Sequence, residues 1–280
     1  MPTERKYTFD IDTKRYLNKV DTYRSLIGLS PITNSDAVDI DNFIIGLKDL
    51  GLWHTMVCYL FRSIHNIGSG ANALSLGGGQ QVGADATLLN AATWSVDGIV
   101  RSTAGNPLFS TPIRDIGVAP VAHGAVLKLD TDIGNNAGYW ATAQTSINGR
   151  QFAIGTSSVP SAQNISTYIG TWFQASVSVQ NVGGGASTPF TRTGRHYFSI
   201  RLTSGTTGRF TLNTNQVSQG SASNDWNTST PSFVRFGGYN TPLNLTASFA
   251  FLTNSLVSDI QDANLYRLIK TTIGKGLGLP

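Results

Sequence analysis

The sequence predicts a mainly β protein: an antiparallel sandwich preceded by an extended arm and short helices. Three observations lead there. From about residue 92, runs of alternating apolar and polar residues recur, separated by Gly, Asn, Pro and Ser. Charged residues are only 13% of the chain, with 30 glycines, a composition of many strands joined by many turns. Helical spacing is confined to one stretch before that region and one after it.

Taken in order, residues 1–35 read as a polar, charge-mixed N-terminal arm containing Tyr7, Phe9, Tyr16 and Tyr23. Residues 36–67 read as a helical docking region. Asp36, Asp39 and Asp41 lie where a helix dipole favours acids, and Val38, Ile40, Phe43, Ile44 and Leu47 recur at helical spacing. After Gly51 a second stripe, Trp53, Val57, Leu60, Phe61 and Ile64, predicts a second short helix or a kinked continuation. Residues 68–91, with Gly68, Gly70 and Gly77 to Gly79, read as a Gly-rich linker, and 92–280 as the sandwich with its C-terminal helix.

Inside the sandwich, strands are predicted at 121–131, 138–145, 150–156, 165–173, 195–203, 208–212, 232–239 and 245–252. The closing helix, about 258–271, carries Asp259 and Asp262 in its first turns and Lys270 near its end, with Gly274 available as a left-handed cap.

Charge is distributed unevenly. Residues 1–100 hold eight Lys/Arg against ten acids, and residues 101–280 hold twelve against six. Between Asp132 and Asp225 run 92 residues without a carboxylate, and Glu4 is the only glutamate. Arg150, Arg192, Arg195, Arg201 and Arg209 lie in that gap, which predicts that their carboxylate partners come from another chain. The gap also removes the usual acids, bases and metal ligands from the middle of the fold. No Lys/Arg cluster lies on a helix and no nucleic-acid motif is present, which argues against nucleic acid. The apolar stretch 43–67 is broken by Lys48, Asp49, His54, Arg62 and His65, so no membrane span is expected. Cys58 is alone and reads as a buried thiol in a helix, and the opening residues lack the apolar run of a secretory signal.

The last eighty residues carry a resemblance. His196-Tyr-Phe-Ser-Ile-Arg-Leu leads to Gly208-Arg-Phe-Thr-Leu, then a Ser-rich loop with Trp226, Pro231-Ser-Phe-Val-Arg-Phe, Ala247-Ser-Phe-Ala-Phe-Leu and a final helix. This order resembles the concanavalin A-like (laminin-G-like) jelly roll. Phe43-Ile-Ile-Gly-Leu-Lys-Asp-Leu-Gly-Leu-Trp-His resembles the helical pre-domain of tailed-phage structural proteins. Together they imply a bacteriophage virion protein, assembled in the host cytoplasm, whose partners are other virion proteins and further copies of itself.

Four sets of residues are candidates for function. Trp226, with Asn224, Asp225 and Tyr239, is the candidate for stacking on a sugar. Trp140 and Trp172 lie inside strands, where core packing is the default. Asp130, Asp132 and Asn135 offer oxygen ligands at near-alternate positions, as a calcium loop does, though the closing glutamate is missing. Trp53, Phe61, Arg192 and Arg195 are the candidates for subunit contact. Lys128, Asp130 and Asp132 imitate the alternating acids of a glycan hydrolase, but a lysine stands in place of the third acid.

The expectation is therefore a non-enzymatic structural component of a phage particle, docking through residues 1–67 and exposing a sandwich, with no catalytic residue and no required cofactor. Its alternative is a glycan-binding receptor module meeting a host-surface sugar. Hydrolysis ranks third.

Overall fold

The chain begins with two helices, α1 (Ile11–Leu26) and α2 (Asn34–Asp49), and then enters β structure. The first strands are β1 (Met56–Leu60), β2 (Asn72–Ala73), β3 (Ser75–Leu76), β4 (Ala86–Leu88), β5 (Thr93–Ser95) and β6 (Gly98–Arg101). Next come β7 (Phe109–Thr111), β8 (Ala122–Leu129), β9 (Trp140–Ala143), β10 (Arg150–Thr156), β11 (Ile165–Phe173) and β12 (Ser176–Asn181). The last are β13 (Gly194–Ser204), β14 (Thr207–Leu212), β15 (Asn215–Ser221), β16 (Val234–Phe236) and β17 (Leu245–Thr253), followed by α3 (Asp259–Thr271). The structure is a computed structural model. It describes residues 8–78, 85–89, 91–101, 109–111, 122–129, 140–143, 150–156, 165–173, 176–181, 194–204, 207–213, 215–221, 234–236, 245–253 and 255–280.

Each helix has a local cause. In α1, Thr13, Tyr16, Leu17 and Val20 are buried at i, i+3, i+4 and i+7, and Asp10 caps the start by accepting from the Asp12 amide. Thr33 caps α2 in the same way through the Asp36 amide. Gly51, at φ +70°, ends α2: its N–H donates to Lys48 O, and that of Leu52 donates to Leu47 O. In α3 the hydroxyl of Ser258 accepts from the Gln261 amide while the Gln261 side chain accepts from the Ser258 N–H, a reciprocal capping box.

Two antiparallel sheets follow. The nine-stranded one has the order β15-β14-β13-β8-β17-β1-β3, with β6 joined to β17 and β5 to β6. The eight-stranded one has the order β12-β11-β10-β9-β16-β7-β4-β2. Alternation along β1 and β17 turns Met56, Cys58, Leu60, Phe249 and Phe251 into one cluster with Phe43 and Ile44 of α2 and Leu265, Tyr266 and Ile269 of α3. Phe43 meets Phe249 edge-on at 5.6 Å between ring centroids. The opposite side of β1 is buried too, with Tyr59 stacked on Phe61.

Several expectations are corrected here. The fold is not a closed, mainly β jelly-roll sandwich: both sheets are open, and all three helices are built into the core they share with the nine-stranded sheet. The arm is not extended over 11–26 but forms α1. The second helical stripe is strand β1, all five residues of it buried, so its apolar run has no polar face to reveal a period. The span read as a linker contributes β2, β3 and β4. Gly274 is not a left-handed cap; α3 ends at Thr271 with Thr272 as its C-cap, and the Gly274 N–H simply donates to Ile269 O. Among the described residues no helix is long and apolar enough to cross a membrane.

The packing leaves one position where a single methyl group is expected to matter. A Cβ on Gly124 of β8 would lie 2.5 Å from the Phe198 carbonyl oxygen and 2.4 Å from the Phe251 ring. Neither a ladder carbonyl nor a fully packed ring can retreat cheaply, so Gly124→Ala is expected to cost about 1–3 kcal/mol, read from the urea midpoint.

Candidate functional site

Strand β13 places Arg195, Tyr197, Ser199 and Arg201 at alternate positions, and β14 sets Thr211 opposite Ser199 and Arg209 opposite Arg201. Helix α3 brings Asp259 and Asp262 over this row. Asp262 accepts from Tyr197 Oη at 2.7 Å, Ser199 Oγ at 2.9 Å and Arg201 Nη1 at 3.0 Å. Arg201 Nη1 also donates to Thr211 Oγ1 at 2.5 Å. Asp259, at the exposed rim, pairs with both Arg201 and Arg209. Arg195 donates to the Leu277 carbonyl at 3.1 Å and faces Asp97 at 3.3 Å.

The prediction that these arginines pair with another chain is thus wrong for Arg195, Arg201 and Arg209. Their carboxylates come from this chain, from Asp97 on the N-terminal side of the acid-free gap and from Asp259 and Asp262 beyond its far end. Chemically the cluster is a clasp holding α3 on the sheet. Burial, followed by the negative charge of Asp262, raises the Tyr197 hydroxyl well above its ordinary range, so it stays protonated and donates.

The predicted subunit contacts have other duties. Trp53 is 4% exposed and Phe61 0%, both inside the fold, and Arg195 lies under the C-terminal segment at 7%. Arg192 lies outside the described residues, as do Trp226, Asn224, Asp225 and Tyr239, and the calcium candidates Asp130, Asp132 and Asn135. Lys128, the lysine of the hydrolase-like pattern, is exposed on β8. Among the described residues no group of three or more His, Cys, Asp or Glu is placed to hold a metal ion.

The eight-stranded sheet offers a second arrangement, which sequence reading missed. Its register aligns Thr87, Ser110, Arg235, Ala143, Gln151 and Gly170 in one row across six strands. Two residues further along, on the same face, the row is Ala141, Ala153, Tyr168 and Asn181. Trp172 follows Gly170 on that face of β11, opposite Val177. The other face takes Leu88, Phe109, Phe236, Phe152 and Ile169, and Trp140 shares it with Ile154. At the β2–β4 end of the sheet Asn72 and Thr87 are exposed while their neighbours Ala73, Ala86 and Leu88 are buried. Pairing β9 to β12 by register, rather than reading each strand alone, is the signal that finds this arrangement.

Neither a family model nor a curated protein sequence matches this chain. Solved structures do. A Trypanosoma rangeli sialidase in complex with sialic acid is 11% identical, with a TM-score of 0.57 over 94% of this chain and 39% of the sialidase. A mutant of that sialidase displaying trans-sialidase activity is 12% identical, with a TM-score of 0.53 over 84% of this chain and 39% of its own length. A botulinum neurotoxin type C structure, described by its interaction with two ganglioside molecules, is 8% identical, with a TM-score of 0.50 over 77% of this chain and 51% of that one. The likeness is one of fold. This chain spans well under half of the sialidase and about half of the toxin chain. These neighbours correct the resemblance to tailed-phage virion proteins: they are a parasite sialidase and a clostridial toxin. The virion localisation and the virion partners expected from that resemblance fall with it.

Proposed function

We propose that this chain is a glycan-binding module that holds a sugar without hydrolysing it. The observation that carries the reading is that the fold it shares with its neighbours occurs in a protein solved with sialic acid and in one described with gangliosides. Within the clasp, Asp259 and Asp262 are both committed to arginines, so this pair does not serve as the acid and nucleophile of a two-carboxylate mechanism. Trp226, with Asn224, Asp225 and Tyr239, belongs to the segments that lead into and out of β16, the strand bearing Arg235. We assign these residues a share of the sugar contact.

A glycan array probed with the full chain tests the proposal. Binding in the micromolar to millimolar range is expected, with Trp226→Ala weakening it about tenfold, the scale of one lost aromatic anchor. Incubated polysaccharides should release no reducing ends, and Asp130→Asn should leave binding in place. No binding to any sugar at millimolar concentration would end this reading.

A further inference from the structure

Apart from any sugar, we propose that the corner between α1 and α2 is a lipid contact, seating the protein on the interface of a bilayer without spanning it. Residues 22–31 turn their large apolar side chains outward: Leu26 is 78% exposed, Ile27 49%, Tyr23 42% and Leu29 37%. Tyr23 lies three and four positions before Leu26 and Ile27, so these three share one side of the last helical turn. Arg24 is the only charged residue of the ten. Its guanidinium is folded back onto the Ser30, Ser63 and Asn66 carbonyls. The corner therefore presents apolar side chains with its one charge withdrawn.

The backbone is prepared for apolar surroundings, which a segment enters cheaply only when its amides are already paired. The Ile27 N–H donates to the Tyr23 and Arg24 carbonyls, that of Gly28 to Ser25 and that of Leu29 to Arg24, a closed helix end that Gly28 permits at φ +75°. The Ile32 N–H donates to the Asp21 carboxylate at 2.8 Å, and Pro31 has no N–H to satisfy. Size decides between lipid and protein. The four side chains leave roughly 400 Å² exposed, about half of the ~800 Å² that each partner gives to a standard protein interface, so a second copy would gain too little from this corner alone. A bilayer needs no matching surface and accepts a small apolar knob that protrudes. Tyr23, at the base of the corner, suits the boundary, with an apolar ring and a hydroxyl for the headgroups. Lys19 and Arg15 stand four and eight residues before it, but Asp85 and Asp12 pair with them, so apolar contact and not charge drives the binding.

The experiment uses the full chain and vesicles of pure phosphatidylcholine, separated by flotation. The wild type is expected to float with the vesicles, equally at low and high salt. Leu26→Ser/Ile27→Ser should keep the wild-type melting temperature and lower the partition by more than about tenfold. Ile260→Ser, at 74% as exposed as Leu26 but on α3, should leave the partition unchanged. Leu26→Trp should add an emission that shifts to the blue on vesicles and is quenched by brominated acyl chains. A wild type that stays with the unbound protein overturns the proposal, as does flotation of Leu26→Ser/Ile27→Ser equal to that of the wild type. A lowered melting temperature of that double variant would mean that the corner is packed, which also overturns it. If the wild type sediments as a dimer without lipid and the double variant as a monomer, the corner joins two copies and the lipid contact is wrong. The vesicles carry no sugar, so each of these failures leaves the glycan-binding reading standing.

Discussion

Asp262→Ala is expected to lower stability by about 3–5 kcal/mol, the usual cost of removing one member of a buried ion pair. The side chains of Asp262 and Arg201 are each 2% exposed, so the guanidinium left behind cannot recover its partner from water. Tyr197 and Ser199 lose their acceptor in the same step. Asp259→Ala is the control. It touches the same arginine, but its side chain is 52% exposed, so its removal should cost under about 1 kcal/mol. The double variant Arg201→Met/Asp262→Leu should recover much of the loss, because it removes both charges instead of stranding one. Urea midpoints at constant slope are the measurement. Equal costs for the two aspartates would mean that the cluster is a surface feature and not a clasp.

How much of this was legible beforehand depended on whether the physical signal was local. The eight predicted strands all coincide with strands of the structure, because Gly, Asn and Ser punctuate them and side chains alternate. The capping box of α3 could be read directly as Ser258 and Gln261. Helix α1 was present in the sequence as Asp10, Thr13, Tyr16, Leu17, Val20 and Gly28, yet its lysines, arginines and aspartates outnumber the buried side chains and hide the stripe. Strand β1 failed for the opposite reason, since a strand buried on both faces carries no period. The arginine pairs were not legible at all: Arg201 and Asp262 lie 61 residues apart, and only the folded sheet brings them together. The phage resemblance failed because a strand order identifies an architecture, and one architecture serves unrelated proteins.

A second large effect is expected on acidification. His65 and His123 are 1% and 0% exposed, and burial pushes each down to about 3, with the positive charge of Arg62 adding to the effect at His65. His65 sits where α1 meets the loop after β1: its carbonyl accepts from Tyr16 Oη at 2.9 Å, and Asp36 is 3.9 Å from its Nε2, too far to compensate. Both imidazoles are therefore neutral in the folded protein. In the unfolded chain they take up protons near pH 6.5, so between pH 6.5 and about 3 the unfolded state binds more protons, and stability falls as the pH falls. Each unit below 6.5 costs about 1.4 kcal/mol per histidine, or about 4 kcal/mol for the pair at pH 5. Asp10 acts in the same direction but later. The Lys48 hydrogen bond holds its carboxyl below the ordinary value of 3.8, so its contribution disappears only beneath that pH. Urea unfolding at pH 7 and pH 5 separates the two, since the burial of His65 and His123 acts in that interval and the Asp10 contribution does not. His65→Gln should remove about half of the difference, because a neutral amide has no proton to gain in the unfolded chain. A midpoint unchanged between pH 7 and pH 5 would show that the two imidazoles are not held neutral by burial.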